Sequence, residues 1–152
     1  MTKKVTFMSF FMMAFLMSAC SERFTGYYPK YEDAVKDGAV KRGWIPEILP
    51  ATATEIYEQH DLDTNNVWIR FALPSSDRDR LATGLKRLTD NEIRKIITQP
   101  PLATWWFKGL IQQTPTNDSL NANIYAMKCH EDKTGYLAFD VTGPKVYYWC
   151  TN

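Results

Sequence analysis

The chain reads as an α+β domain, an antiparallel sheet of about five strands with helices packed on one face. Three observations carry that reading. Strand-like runs over 124–129, 136–141 and 146–150 are separated by the turn-forming stretches Asp132-Lys133-Thr134-Gly135 and Thr142-Gly143-Pro144-Lys145, the pattern of a β-meander. Two further runs, 54–60 and 67–73, flank the turn-rich segment Asp61 to Asn66 and form a hairpin. Between hairpin and meander, apolar residues recur at helical spacing.

Taken in order, residues 31–40 predict a short helix with Tyr31, Ala34 and Val35 on one face, limited by Gly38 and Gly43. Pro46 and Pro50 then forbid regular helix or central strand, so 42–50 reads as an extended crossing that offers Trp44, Ile45, Ile48 and Leu49 to the core. In the hairpin, Val67, Ile69 and Phe71 alternate with Trp68, Arg70 and Ala72, and Pro74 ends the strand. Ser75 or Ser76 is placed to cap a helix, with Asp77 and Asp79 suited to its positive end and Leu81, Leu85 and Leu88 on one stripe. Thr89 and Glu92 form a capping-box pattern for a second helix carrying Ile93, Ile96 and Ile97, which Pro100-Pro101 stops. Residues 102–113 fit a buried helix or a strand equally, and 114–123 is polar loop. Trp105 and Trp106, adjacent in sequence, cannot both face one way in a regular element, so one of them is a candidate binding aromatic.

The first twenty residues carry an address. Lys3 and Lys4 precede an apolar run over 5–19, too short for a spanning helix of about 20 residues. The run ends in Met17-Ser18-Ala19-Cys20, which resembles the lipobox of bacterial lipoproteins, with Met where Leu is usual. That resemblance implies cleavage before Cys20 and attachment of lipid, palmitate among the acyl groups, to its sulfur and new amino group. Ser21, standing where Asp would signal retention at the inner membrane, implies the outer membrane, facing the periplasm. The expected organisation is a signal peptide over 1–19, a lipidated tether over 20–25 and a single domain over 26–152. Removing 1–19 leaves 16 basic against 17 acidic residues. This balance excludes nucleic acid as a partner and electrostatic attachment to anionic lipid, leaving the acyl chains on Cys20 as the link to the bilayer.

Cys129 and Cys150 remain as a pair, and in an oxidising compartment a disulfide is the default. They close the first and third strands of the meander at the same end. Outer strands lie about 9.6 Å apart and a disulfide needs Cα atoms within about 7 Å, so the bridge is expected only past the end of the middle strand.

Chemistry-bearing clusters are few. His60 beside Asp61 and near Glu58, and His130 beside Glu131 and Asp132, each offer acid–base or ligand groups, but both sit at strand ends where polar residues belong. Asp61, Asp63 and Asn65 resemble the opening of a calcium loop, yet Asn66 stands at its sixth position and Ala72 at its twelfth, so a polar turn capping its own backbone accounts for them better than a metal. There is no HExxH, GxSxG, P-loop or Gly-rich dinucleotide turn, and no cofactor is expected.

The segment Arg42-Gly43-Trp44-Ile45-Pro46 through Leu49-Pro50-Ala51-Thr52-Ala53, with Ile56 and His60-Asp61-Leu62-Asp63-Thr64-Asn65, resembles the signature of small bacterial proteins of the YbbD-like group. The resemblance covers about thirty residues and implies no catalytic residue. Some members of the group resemble Rhs-type toxin elements in genomic setting. Three readings follow: a membrane-anchored periplasmic lipoprotein serving as a non-catalytic binding or envelope-support module with a protein partner in the envelope; an immunity protein against a periplasm-acting toxin; and, behind both, a hydrolase using His60 or His130.

Overall fold

The computed structural model describes residues 22–96, 100–107, 121–130 and 133–151. Its architecture corrects the predicted one. The strands are β1 Arg23–Lys30, β2 Thr54–Asp61, β3 Asn66–Ala72, β4 Lys86–Arg87, β5 Ala122–Lys128, β6 Thr134–Asp140 and β7 Lys145–Cys150, with helices α1 Tyr31–Asp37, α2 Ser75–Ala82 and α3 Asp90–Ile93. The hairpin and the meander are not separate units. They fuse through β3–β7 into one seven-stranded antiparallel sheet, ordered β1-β2-β3-β7-β6-β5-β4. Both unforeseen strands lie at the edges. Arg23 to Thr25, expected in the tether, are already the first rungs of β1 against Asp61, His60 and Gln59. Lys86 and Arg87, expected in a helix, pair with Ala126 and Tyr125.

The helices do not share a face, because the sheet is apolar on both sides. Strand alternation places Val67, Ile69 and Phe71 of β3, Leu137 and Phe139 of β6, and Val146, Tyr148 and Cys150 of β7 in one cluster, which Ala34 of α1 and Ile45 and Leu49 of the following turns cover. Trp68, Ala138, Tyr147 and Trp149 point the other way and meet Leu88, Ile93 of α3, and Trp106. The predicted Leu81–Leu85–Leu88 stripe therefore splits: α2 stops at Ala82, Gly84 turns the chain at φ +83°, and Leu88 reaches the opposite cluster.

Local signals behave as their chemistry requires. Gly38 at φ +81° ends α1 in a left-handed cap. Thr89 caps α3 reciprocally with Glu92, as predicted. Pro74, not Ser75 or Ser76, occupies the N-cap of α2 and makes no side-chain bond there. Asp77 is instead buried, where the Thr52 hydroxyl and Arg80 both donate to it. Residues 102–107 form turns, neither helix nor strand, and the remainder of the 102–113 run lies outside the described residues, as does most of 114–123.

Cys129 and Cys150 are bonded, with Cα atoms 6.1 Å apart. The bridge does not lie past the end of the middle strand. It crosses over Gly135, the residue of β6 opposite Cys150, where an added Cβ would lie 2.9 Å from Cys129 Cβ. The missing side chain lets the disulfide pass above the strand.

Candidate ligand pocket over a buried histidine

Strand β2 carries Ile56, Glu58 and His60 at alternate positions, all turned to the α1 side of the sheet. Two ionisable residues thus lie on a core-facing stripe. Their side chains are 1% and 4% exposed. Glu58 Oε1 bonds His60 Nδ1. Gly26 on β1 makes room for the pair, since a Cβ there would stand 3.0 Å from Glu58 Oε2.

Aromatic rings enclose the imidazole. Trp44 stacks on it at 4.0 Å and 19°, and Phe24, its cross-strand neighbour on β1, lies at 5.4 Å and 16°. The Arg42 guanidinium sits 4.0 Å from the Trp44 ring centre. It is held there by Asp37, through the backbone carbonyl at 2.8 Å and the carboxylate at 2.7 Å, and that carboxylate also accepts from Tyr28. Gly43, at φ +78°, makes the turn between Arg42 and Trp44.

The ring borders a cavity of about 360 Å³ lined by Arg42, Trp44, His60, Asp61, Leu62, Asn65, His130 and Lys133. Among the described residues His60 Nε2 is buried and has no hydrogen-bond partner. A buried polar atom without a partner is uncommon and calls for an explanation, and here the atom belongs to a residue that lines a cavity.

Electrostatics decide what that nitrogen offers. Burial pushes the Glu58 carboxyl up to about 8, with Arg42 pulling the other way. Burial and then Arg42 hold His60 below its ordinary value. At neutral pH the pair keeps one proton between its two members and is neutral overall. If the proton rests on Glu58, it is donated to Nδ1, and the neutral ring carries its own hydrogen on Nε2. If it moves to the ring, both nitrogens carry hydrogen. Either arrangement leaves a hydrogen on Nε2, available as a donor.

Asp61 is occupied otherwise. Arg23 Nε donates to its Oδ2 at 2.9 Å, and the amides of Asp63 and Thr64 donate to its Oδ1, both at 3.1 Å. Burial raises its carboxyl, but these bonds outweigh burial and hold it below the ordinary value. The turn thus uses Asp61 as a backbone cap. Asn65 completes the turn at φ +56° and lines the cavity; Asp63 is exposed. Among the described residues no group of three or more His, Cys, Asp or Glu is arranged to hold a metal.

The two histidines weighed separately in the sequence therefore meet at one cavity. Glu131 and Asp132, beside His130, lie outside the described residues, and so does Cys20. Trp106 is buried on the other side of the sheet, edge-on to Tyr147 and Trp149, and Trp105 is half-buried beside Tyr57. Arg42, Trp44 and Lys133 were not legible as site residues. The available signal was the Glu58-x-His60 spacing on a strand whose Ile56 marks the core side.

Residues 22–72 match the family model of the YbbD head domain. The match runs from the start of β1 through β3, so the matched stretch contains Arg42, Trp44, Glu58, His60, Asp61, Leu62 and Asn65. It supports the YbbD-like resemblance carried by residues 42–65. His130 and Lys133 come from beyond the match, between β5 and β6. No curated protein matches the chain, and no solved structure does.

Proposed function

We propose that this protein is an envelope lipoprotein, anchored through acylated Cys20, whose folded body is a binding module with the cavity over His60 as its ligand site. One observation carries the reading: His60, whose buried Nε2 has no hydrogen-bond partner among the described residues and whose ring is held by Glu58 and Trp44, lines a cavity of about 360 Å³. Rigid aromatic walls with a few convergent polar groups are the usual make-up of a small-ligand site. None of the described residues lining the cavity is Ser, Thr or Cys, which favours binding over nucleophilic hydrolysis. The YbbD head-domain match suits an envelope-associated protein, and the Cys129–Cys150 disulfide suits an oxidising compartment.

Two measurements test this. Cys20→Ala is expected to move the protein from the membrane to the soluble fraction; continued membrane association of the variant refutes the acyl anchor. Native mass spectrometry of protein purified from envelope extract is expected to show a bound small molecule that is lost in His60→Phe, which keeps a stacking ring. A bound species retained by that variant, with the melting temperature preserved, refutes the site.

A further inference from the structure

We propose that the cavity over His60 receives a phosphate group, with His60 Nε2–H and the Lys133 ammonium as its two principal donors, and that it opens beside the lipid anchor. This deepens the binding reading above and rests on it. Three observations combine. The cavity is lined by His60, whose buried Nε2 has no hydrogen-bond partner among the described residues. Among the described residues the lining is weighted toward positive charge, with Arg42 and Lys133 against a single carboxylate, Asp61, whose two oxygens are already engaged by Arg23 and by backbone amides. Lys133 has no ion-pair partner among the described residues, whereas Arg42 is tied to Asp37. A lysine ammonium and an imidazole lining the same cavity are a point-charge-plus-donor arrangement suited to an anionic oxygen group. The volume, about 360 Å³, exceeds that of phosphate alone and leaves room for a small polar substituent such as glycerol.

The third observation is position. The Leu62 amide on the cavity rim donates to the Glu22 carbonyl at 3.1 Å. Cys20 stands two residues before Glu22, and two residues span at most about 7 Å. Leu62, exposed on the rim, and exposed Phe24 of β1, cross-strand from His60, are apolar side chains near the start of the described chain. A phosphate presented by the bilayer and one on a soluble ester have the same chemistry, and both can reach this cavity.

The test is calorimetric titration of the full lipidated protein in dodecyl maltoside micelles, which contain no phosphate. One arm uses inorganic phosphate, a second glycerol phosphate, and a third mixed micelles containing phosphatidylglycerol. Saturable binding in at least one arm is expected, weakened tenfold or more by His60→Phe and by Lys133→Met in variants whose melting temperature is unchanged. Binding confined to the third arm assigns the source to the membrane, and binding in the first two assigns it to a soluble ester. No saturable binding in any arm, or binding indifferent to both substitutions, overturns the proposal. Should either variant fail to fold, His60→Gln and Lys133→Arg replace them, with Lys133→Arg expected to retain binding. A co-purifying molecule lost in His60→Phe alongside silent phosphate titrations would refute the phosphate assignment while leaving the binding site standing.

Discussion

Replacing Glu58 with Gln is expected to stabilise the protein at neutral pH, against the usual result for a buried charged pair. Glu58 is fully buried beside His60, and burial lifts its carboxyl from 4.5 to about 8. A folded value above the unfolded one makes the group's contribution most favourable below pH 4.5. It declines as the unfolded chain ionises, and it is fully lost above about 8. At pH 7, about 2.5 pH units above 4.5, the ceiling on this loss is about 3 kcal/mol at about 1.4 kcal/mol per pH unit. Gln has nearly the same shape, carries no charge to neutralise, and can donate its amide N–H to His60 Nδ1, preserving Nε2–H. A gain of about 1–3 kcal/mol at pH 7 is therefore expected, shrinking toward zero at pH 4.5. His60, held low, works in the opposite sense, losing stability as pH falls through 6.5, but it does so in both proteins and cancels in the difference. Urea unfolding of wild type and Glu58→Gln at pH 4.5, 6, 7 and 8.5 measures this. A loss of about 3–5 kcal/mol in the variant at pH 7, as when one member of a buried ion pair is removed, would refute a neutral Glu58.

Two further outcomes follow from packing. Gly135→Ala places a Cβ 2.9 Å from Cys129 Cβ, so it is expected to lower stability by about 1–3 kcal/mol, approaching the loss of about 3 kcal/mol expected for removing a bridge with sequence separation 21; thermal melts with thiol labelling of the denatured protein check both. Trp44→Ala removes a half-buried ring that stacks on His60 and supports Arg42, and should cost about 2 kcal/mol, roughly half of a core Trp truncation; an unchanged melting temperature would show that the ring is not part of the packed structure.

The hairpin and the meander were legible because alternation and turn residues are local signals: Val67, Ile69 and Phe71 against Trp68 and Arg70, and the turn-forming stretches at the entries to β6 and β7. Their union was not, since nothing local states that Arg70 will lie opposite Tyr147. The edge strands were missed for another reason. Arg23–Lys30 and Lys86–Arg87 are largely exposed and lack an apolar period of two, and only their partners make them strands. Reading both faces of β3 and β7 as apolar, with Trp68, Tyr147 and Trp149 on the second side, would have required helices or turns on both sides rather than one. At the site, Glu58 and His60 were visible as ingredients, but the cavity depends on Trp44 folding back from the α1 side and on His130 and Lys133 arriving from seventy residues downstream, which no local pattern encodes.

The account turns on which way the His60 imidazole offers its hydrogen. A long-range nitrogen–proton correlation spectrum of the protein labelled with ¹⁵N-histidine reads each ring nitrogen directly. At pH 7, His60 Nε2 is predicted to be protonated, in wild type and in Glu58→Gln alike, with its resonance moving on addition of inorganic phosphate. A bare Nε2, with the hydrogen on Nδ1 facing an ionised Glu58, would contradict the central claim.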